Sequence, residues 1–339
     1  MTSIWRSMIG VLAVLCCSAM TQDQPRQPIH IIDHAGATAV AWSPNGSILA
    51  VGDPNGIQLY TVDFEPLTFL EQPTSQMKFI KWSPDGTLLA TYGTNDIDVE
   101  RDPSQLTVYV WDVANEIVIR QFDDHKYYVT DAVWSSDGEH IATVSFDETI
   151  RVWSVFDPSI YFLADADDLS EITNVITDVD WAGDGTIIAY MSGIGVYGWR
   201  DRFGFEQIVP GYLGNPQGSP KMSRLNPINN DILLGNGIYI ADTITTRYFE
   251  NCGFQEVWQP NGLLTVGFVH DTNIICDPYN DIVIASLENG TPNGLLEMLV
   301  APQTIDWNPD GKLIAGTNLD DKVRIWDIAD IVSNQPHGQ

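Results

Sequence analysis

The sequence predicts an all-β fold built from a repeated antiparallel unit, because three signals recur together along the chain. The first is a short apolar run that ends in Trp, the second is a turn of the Ser-Pro-Asp-Gly type, and the third is another apolar run. The stretch Trp82–Gly86, followed by Leu88–Ala90, shows all three. Self-similarity of this kind indicates one repeat domain rather than several unrelated ones.

The repeat occurs seven times, in six clear copies and one worn copy that has Leu in place of the Trp. The copies are about 33 to 52 residues apart, which brackets the length of a four-stranded propeller blade. The sequence therefore predicts a seven-bladed β-propeller with four-stranded antiparallel blades. The copies are marked by Trp42, Trp82, Trp134, Trp181, Leu225, Trp258 and Trp307.

The turn within each copy has a physical reason. Pro presets the backbone for the first central position of a type I turn, Asp or Asn suits the next position, and Gly accepts the left-handed conformation that follows. The strands on either side must then be antiparallel neighbours. Their apolar runs, such as Ile187–Ala189, do not alternate with polar residues, so both faces of each blade should be buried.

A third strand in each copy carries a mark of its own. Val108–Asp112 and Val323–Asp327 end in Trp-Asp, whereas the first copy has Tyr60 in place of the Trp. The fifth and sixth copies have lost this mark. A fourth strand is predicted at Ile117–Phe122 and again at 295–300.

The turn, the spacing and the Trp-Asp ending together resemble the WD-repeat (WD40-like) β-propeller family over roughly residues 29–330. The third copy is the most similar. The resemblance implies that a loop His, a Ser or Thr, an Asp and a Trp of this copy form a buried hydrogen-bonded network that ties a loop to two strands. These residues are His125, Thr143 or Ser145, Asp147 and Trp153.

Most other copies lack the His, so we expect their blades to be less rigid where the entry loop meets the strands. The alternative interpretation is that His125 and Asp147 form a catalytic pair, but the resemblance implies that their geometry belongs to the scaffold.

The two ends of the propeller are predicted to meet. The last copy supplies only three strands, and residues 29–33 form a strand pattern that has no blade of its own. We expect this N-terminal strand to complete blade seven and close the ring, which removes exposed sheet edges. The propeller then occupies residues 29–332, and a polar tail follows at 333–339.

The start of the chain has the pattern of an export signal. An arginine precedes the apolar run Met8–Cys17, small residues follow, and the run is too short to span a bilayer. We interpret residues 1–19 as a signal peptide and 20–28 as a polar leader, and expect a secreted or periplasmic, cell-envelope protein. A lipid anchor at Cys16 or Cys17 is the alternative.

The charge restricts the partners. With 16 basic and 45 acidic residues, the net charge is −29, which repels both nucleic acid and anionic membranes. We expect a protein or peptide partner, which could carry positive charge, and a monomeric protein without a membrane span.

Loops that join the second strand to the third, and the outer strand to the next blade, open on one face of a propeller, which we call the top face. Acidic and aromatic residues are concentrated in the long insertions there, which predicts a non-enzymatic binding scaffold. Solvated insertions without a partner are the alternative. The candidate binding residues are Asp98, Asp102, Asp165, Asp168, Tyr212, Asp277 and Tyr279.

An enzyme is the rival class of function, a hydrolase or other enzyme with a carboxylate-lined central funnel. The sequence has no nucleophile elbow, zinc-ligand spacing or phosphate loop, so we predict no catalytic residue, cofactor or metal. Residues 96–102 alternate oxygen ligands but lack the Gly and the closing Glu of a calcium loop. Cys252 and Cys276 fall in two loops of the top face, so either a disulfide or two free thiols is open.

Overall fold

The computed structural model describes residues 26–72, 76–94, 106–157, 176–182, 185–191, 302–318 and 320–330, and elsewhere only the backbone of strands between 161 and 296. The described residues form seven antiparallel sheets of four strands each. The all-β propeller prediction is thereby confirmed. Within these residues no helix is both long and apolar enough to cross a membrane.

Each sheet is one blade, and its strands follow the chain from the centre of the ring to its rim. Blade one has β2 (Ala39–Trp42), β3 (Ile48–Asp53), β4 (Gly56–Thr61) and β5 (Pro66–Glu71). Blade two has β6 (Gln76–Trp82), β7 (Leu88–Thr94), β8 (Val108–Asp112) and β9 (Ile117–Phe122). Blade three has β10 (Val129–Trp134), β11 (His140–Ser145), β12 (Thr149–Ser154) and β13 (Tyr161–Asp165).

The remaining blades repeat this order. Blade four has β14 (Ile176–Trp181), β15 (Ile187–Met191), β16 (Gly195–Trp199) and β17 (Phe205–Val209). Blade five has β18 (Ser223–Leu225), β19 (Ile232–Leu234), β20 (Gly237–Ile240) and β21 (Thr245–Tyr248). Blade six has β22 (Glu256–Trp258), β23 (Leu264–Phe268), β24 (Ile282–Ser286) and β25 (Pro292–Leu296). Blade seven combines β26 (Pro302–Trp307), β27 (Leu313–Asn318) and β28 (Lys322–Asp327) with β1 (His30–Asp33).

One predicted boundary is wrong. The outer strand of blade six is β25 at Pro292–Leu296, not residues 295–300. The strand register shows this directly, because Leu296 already pairs with Ile282, the first residue of β24.

The ring closes through the N-terminal strand. β1 pairs antiparallel with β28, with His30 opposite Ile325 and Asp33 opposite Lys322. Arg26 extends the junction, because its guanidinium lies 2.6 Å from the Asp330 carboxylate. The innermost strand β2 packs against β26 on one side and β6 on the other, so both ends of the chain meet in one joint.

Tryptophan side chains join neighbouring blades. The indole N–H of Trp82 donates to the carbonyl of Ala41 at 3.1 Å, and that of Trp134 donates to Lys81 at 2.9 Å. In each case the Trp ends the inner strand of one blade and reaches the inner strand of the preceding blade. Trp82 and Trp134 are therefore connectors between blades as well as core residues, since a buried indole N–H usually finds an acceptor.

The turns at the bottom of the ring also interlock. Gly86 has φ of 72°, in the left-handed region that the turn requires. A Cβ on this glycine would lie 3.4 Å from Cδ of Pro44, which occupies the same turn of blade one. The turn sequence thus fixes the hairpin and also the contact with the next blade.

Candidate interaction surface

The top of blade three is held by a buried network centred on His125. Its ring lies in the loop that enters β10, is 2% exposed, and has Nε2 2.7 Å from the hydroxyl of Thr143. The indole N–H of Trp153 donates to the same hydroxyl at 2.8 Å, and Nδ1 of His125 lies 3.0 Å from Asp147. A continuous chain of hydrogen bonds therefore links β12, β11, the entry loop and the turn between β11 and β12.

Burial decides the protonation of this network. Burial lowers the pKa of His125 despite the adjacent Asp147 carboxylate, which favours the neutral ring. Thr143 can then donate to Nε2 while Nδ1–H donates to Asp147. Burial alone would raise the pKa of Asp147, but hydrogen bonds from His125, the Thr149 hydroxyl and the Lys126 backbone N–H outweigh it and hold the pKa well below its usual range.

The network leaves no chemistry for a substrate. Thr143 occupies Nε2 of His125, and Asp147 also accepts hydrogen bonds from the Lys126 N–H at 2.7 Å and the Thr149 hydroxyl at 2.6 Å. Because His125 is almost wholly enclosed, a substrate cannot reach it. The geometry therefore supports a scaffold role and not a catalytic pair.

Ser145 has a different role from Thr143. Its hydroxyl donates to the carbonyl of Tyr127 at 3.0 Å, and the N–H of the next residue, Phe146, donates to Tyr128 at 3.0 Å. These bonds hold the entry loop against the β11–β12 turn. Tyr127 and Phe146 are left 42% and 44% exposed on the top face, although both are large and apolar enough to favour burial.

Blade one contains a second network that the sequence analysis missed. The Tyr60 hydroxyl lies 2.7 Å from Nδ1 of His34, and Nε2 of the same ring lies 2.8 Å from Asp53. Burial, followed by the charge of Asp53, raises the pKa of Tyr60, so its hydroxyl stays protonated and donates. Two signals were available in the sequence: His34 lies about as far before Trp42 as His125 lies before Trp134, and Tyr60 takes the Trp position.

Blade two uses a third solution. The Trp111 indole N–H donates to the Thr91 hydroxyl at 3.1 Å, and that hydroxyl donates to Oε1 of Gln72. Gln72 lies in the loop that enters the blade, where blade three has His125. Blade two, which lacks the family His, therefore keeps a buried hydrogen-bonded link, because an amide oxygen accepts the same hydrogen bond. That such blades are less rigid than blade three stays a prediction.

The centre of the ring holds a cavity of about 490 Å³. Its described lining contains three carboxylates but no His, Cys or Ser. Asp306 accepts the Trp42 backbone N–H at 2.7 Å, and burial raises its pKa to about 6. Asp131 lies 3.6 Å from the ammonium group of Lys81. Asp306 and Asp131 each bond to a residue of a neighbouring blade. This geometry favours a structural role for both carboxylates over a catalytic one.

The other candidate residues are distributed as follows. Asp165 is the last residue of β13, paired with Thr149, and so belongs to the rim strand rather than to a free loop. Outside the described residues lie Asp98, Asp102, Asp168, Tyr212, Cys252, Cys276, Asp277 and Tyr279.

Fold and network together define a β-propeller whose blades are tied by buried loop-to-strand hydrogen bonds. The WD domain, G-beta repeat family matches residues 26–60, 117–154 and 302–327. These segments fall in blades one, two, three and seven. The predicted resemblance to the WD-repeat family is thereby confirmed for these segments.

Curated relatives match parts of the chain. One subunit of chromatin assembly factor 1 from Mus musculus is 26% identical over 128 residues, which are 34% of this chain and 22% of that protein. The 66 kDa stress protein of Physarum polycephalum is 32% identical over 134 residues, 37% of this chain and 21% of that protein. The LST8 component of the target of rapamycin complex of Saccharomyces cerevisiae is 40% identical over 55 residues, 14% of this chain and 18% of that protein. The chain thus spans about a fifth of the length of these relatives.

Solved structures match almost the whole fold. The Cps50 (Swd1) β-propeller domain of Myceliophteria thermophila has a TM-score of 0.70 at 15% identity and covers 88% of this chain and 99% of that domain. A chain of the Mitotic Checkpoint Complex has a TM-score of 0.70 at 15% identity, with coverages of 91% and 97%. At this identity the likeness concerns the fold alone.

Proposed function

We propose that this protein is a non-enzymatic scaffold that binds a protein or peptide on the top face of blade three. The observation that carries the proposal is the pair of exposed aromatic side chains, Tyr127 and Phe146, on backbone that a buried network holds in place. Aromatic residues supply much of the binding energy of protein interfaces, and a preorganised loop loses little entropy on binding.

Charge favours a basic partner. Asp123 and Asp124 are exposed in the same entry loop, and the whole chain has a net charge of −29. A positively charged segment would be attracted at a distance by this field and could place a cation over an exposed ring.

The relatives give coarser support. Two of them are named as subunits of assemblies, and one matching structure is a chain of a complex. A role in binding other proteins is the property that this chain would share with them.

Affinity capture from the native extracellular fraction tests the proposal. Full-length protein is compared with Tyr127→Ser/Phe146→Ser, and captured proteins are quantified by mass spectrometry. The matched control, Leu67→Ser/Phe69→Ser, also removes two exposed apolar side chains, but from the rim of blade one. A partner lost only with the first variant supports the proposal, whereas equal capture by wild type and that variant contradicts it.

Export and a monomeric state form the finer part of the proposal. The apolar run Met8–Cys17 behind an arginine supports export. Cell fractionation with a C-terminal tag would place the protein outside the cytoplasm, and sedimentation of the mature chain would give one protomer. Retention in the cytoplasm, or a concentration-independent dimer, contradicts the respective part.

A further inference from the structure

The exposed apolar residues are concentrated on the rim of the ring. Of nine large hydrophobic side chains exposed among the described residues, two are the top-face aromatics, and seven lie on rim strands or next to them. Rim strands have one unpaired edge, so apolar side chains there are costly unless something covers them. We call these seven residues the outer belt: Ile29, Ile31, Val62, Leu67, Phe69, Ile117 and Phe156.

Contacts between neighbouring blades link the segments that carry the belt residues. His30, the first residue of β1, lies between the belt residues Ile29 and Ile31 and stacks on Phe64 of blade one, with ring centroids 4.6 Å apart. Thr68, between Leu67 and Phe69 on β5, donates to Glu116 at the turn that leads into β9. Arg120 on β9 donates to the carbonyl of Phe156 in blade three. These three contacts join the rim strands and adjoining turns of blades seven, one, two and three to one another.

The middle of the belt is acidic. Four exposed carboxylates flank its apolar residues in blades one and two, on the rim strands and the turns that precede them: Asp63, Glu65, Glu71 and Glu116. Arg120 is the cation among the described residues of these segments, and its guanidinium is engaged by the carbonyls of Ile119 and Phe156. An occupant of this surface must therefore combine apolar side chains with positive charge.

We propose that the outer belt is a second docking surface, which binds a cationic amphipathic segment of a partner protein. Apolar side chains of that segment would cover Leu67, Phe69 and Ile117, and its basic residues would face the four carboxylates. A second copy of this chain would bring the same acidic rim and a charge of −29, and an anionic membrane would be repelled. The belt and the top face are separate surfaces, so this proposal does not depend on the function proposed above.

A designed peptide pair tests the belt. The probe is a fluorescent 14-residue peptide of alternating Leu and Lys, compared with a Leu/Glu peptide and a Ser/Lys peptide by fluorescence anisotropy. Full-length protein should bind the Leu/Lys peptide and neither of the others. Leu67→Ser/Phe69→Ser keeps the net charge and should weaken binding by about tenfold or more, because both anchors are lost.

A matched charge comparison follows. Glu65→Gln/Glu71→Gln should weaken binding by about three- to tenfold, since steering and rim contacts are lost. Glu139→Gln/Asp310→Asn removes the same charge from exposed positions outside both proposed surfaces and should leave the affinity unchanged. The single change Leu67→Lys, at a position 56% exposed, supplies a second variant that should fold with the wild-type melting temperature and still lose binding.

Three results would overturn the proposal. One is equal binding of the Leu/Lys peptide by wild type and Leu67→Ser/Phe69→Ser, which would make the attraction purely a matter of net charge. Another is an equal loss of affinity with Glu139→Gln/Asp310→Asn. The third is a different occupant: binding to phosphatidylcholine vesicles, or dimerisation in sedimentation, that Leu67→Lys abolishes.

Discussion

Blades one and three perform the same structural task with different side chains. In blade three the Trp153 indole reaches His125 through the Thr143 hydroxyl, and the ring then bonds Asp147. In blade one Val51 occupies the position of Thr143, and the Tyr60 hydroxyl reaches His34 directly. Asp53, at the end of β3, then takes the place of Asp147.

The comparison shows what the blade requires. In both blades a donor on the third strand, an acceptor in the entry loop and a carboxylate at or just beyond the end of the second strand form one unbroken chain of hydrogen bonds. The residues that form it can change if each buried polar atom keeps a partner, because an unpaired buried group costs more than a made bond contributes. Blade two keeps the third-strand donor Trp111 and the entry-loop acceptor Gln72, joined through the Thr91 hydroxyl.

The largest test removes the carboxylate of each network. Asp147→Ala should reduce the free energy of unfolding by about 3–4 kcal/mol, because it strips partners from His125, Thr149 and the Lys126 N–H. Asp53→Ala should cost about 2 kcal/mol, since among the described residues Asp53 accepts from His34 and from the N–H groups of Asn55 and Gly56. Urea denaturation measures both. A greater loss for Asp53→Ala would show that blade one is the better-supported blade.

A second test removes the relay hydroxyl. Thr143→Val should cost about 2 kcal/mol in urea denaturation, because Trp153 loses its acceptor and His125 its donor while the side-chain shape is kept. The reciprocal Val51→Thr is the control. It should give no gain, since Tyr60 and His34 already bond each other; a stabilised Val51→Thr would mean that blade one lacks a relay.

A third test concerns the substitute donor. Tyr60→Phe should cost about 1 kcal/mol, and a double-mutant cycle with His34→Gln should yield a coupling energy of about the same size. The cycle is read from unfolding midpoints of the four proteins. Additive losses of unfolding free energy would contradict a hydrogen bond between Tyr60 and His34.

The smallest test uses pH. Because the folded-state pKa of His125 is lowered, the unfolded chain takes up a proton near pH 6.5 that the folded protein does not, so stability should fall as pH decreases through that value. His125→Gln copies blade two, should cost about 1 kcal/mol at pH 7.5, and should flatten this dependence. Denaturation curves between pH 7.5 and 5 that keep the wild-type slope would contradict the assignment.

The sequence predicted the parts of the molecule that are local and repeated. The Trp and turn signals repeat within each hairpin, so Trp82–Gly86 predicts both strands around it, and His125, Asp147 and Trp153 stand at family spacing. His34 and Tyr60 were missed because Asp53 lies two residues earlier in its hairpin than Asp147 does, which only strand register reveals. The outer belt was missed because the sequence does not show which leucines of a rim strand face solvent. Leu67 is 56% exposed, whereas Leu70 of the same strand is 1% exposed.

The pairing of β1 with β28 has a consequence for how the protein is made. His30 leaves the ribosome among the first residues of the propeller, but its partner Ile325 is among the last. At a synthesis rate of about 5–20 residues per second, roughly 15 to 60 seconds pass between the synthesis of β1 and that of β28, and β1 is unpaired during this time. During that interval six blades can assemble while the ring stays unsealed, so we expect a nascent chain stalled before residue 322 to be digested by protease and the released chain to resist it.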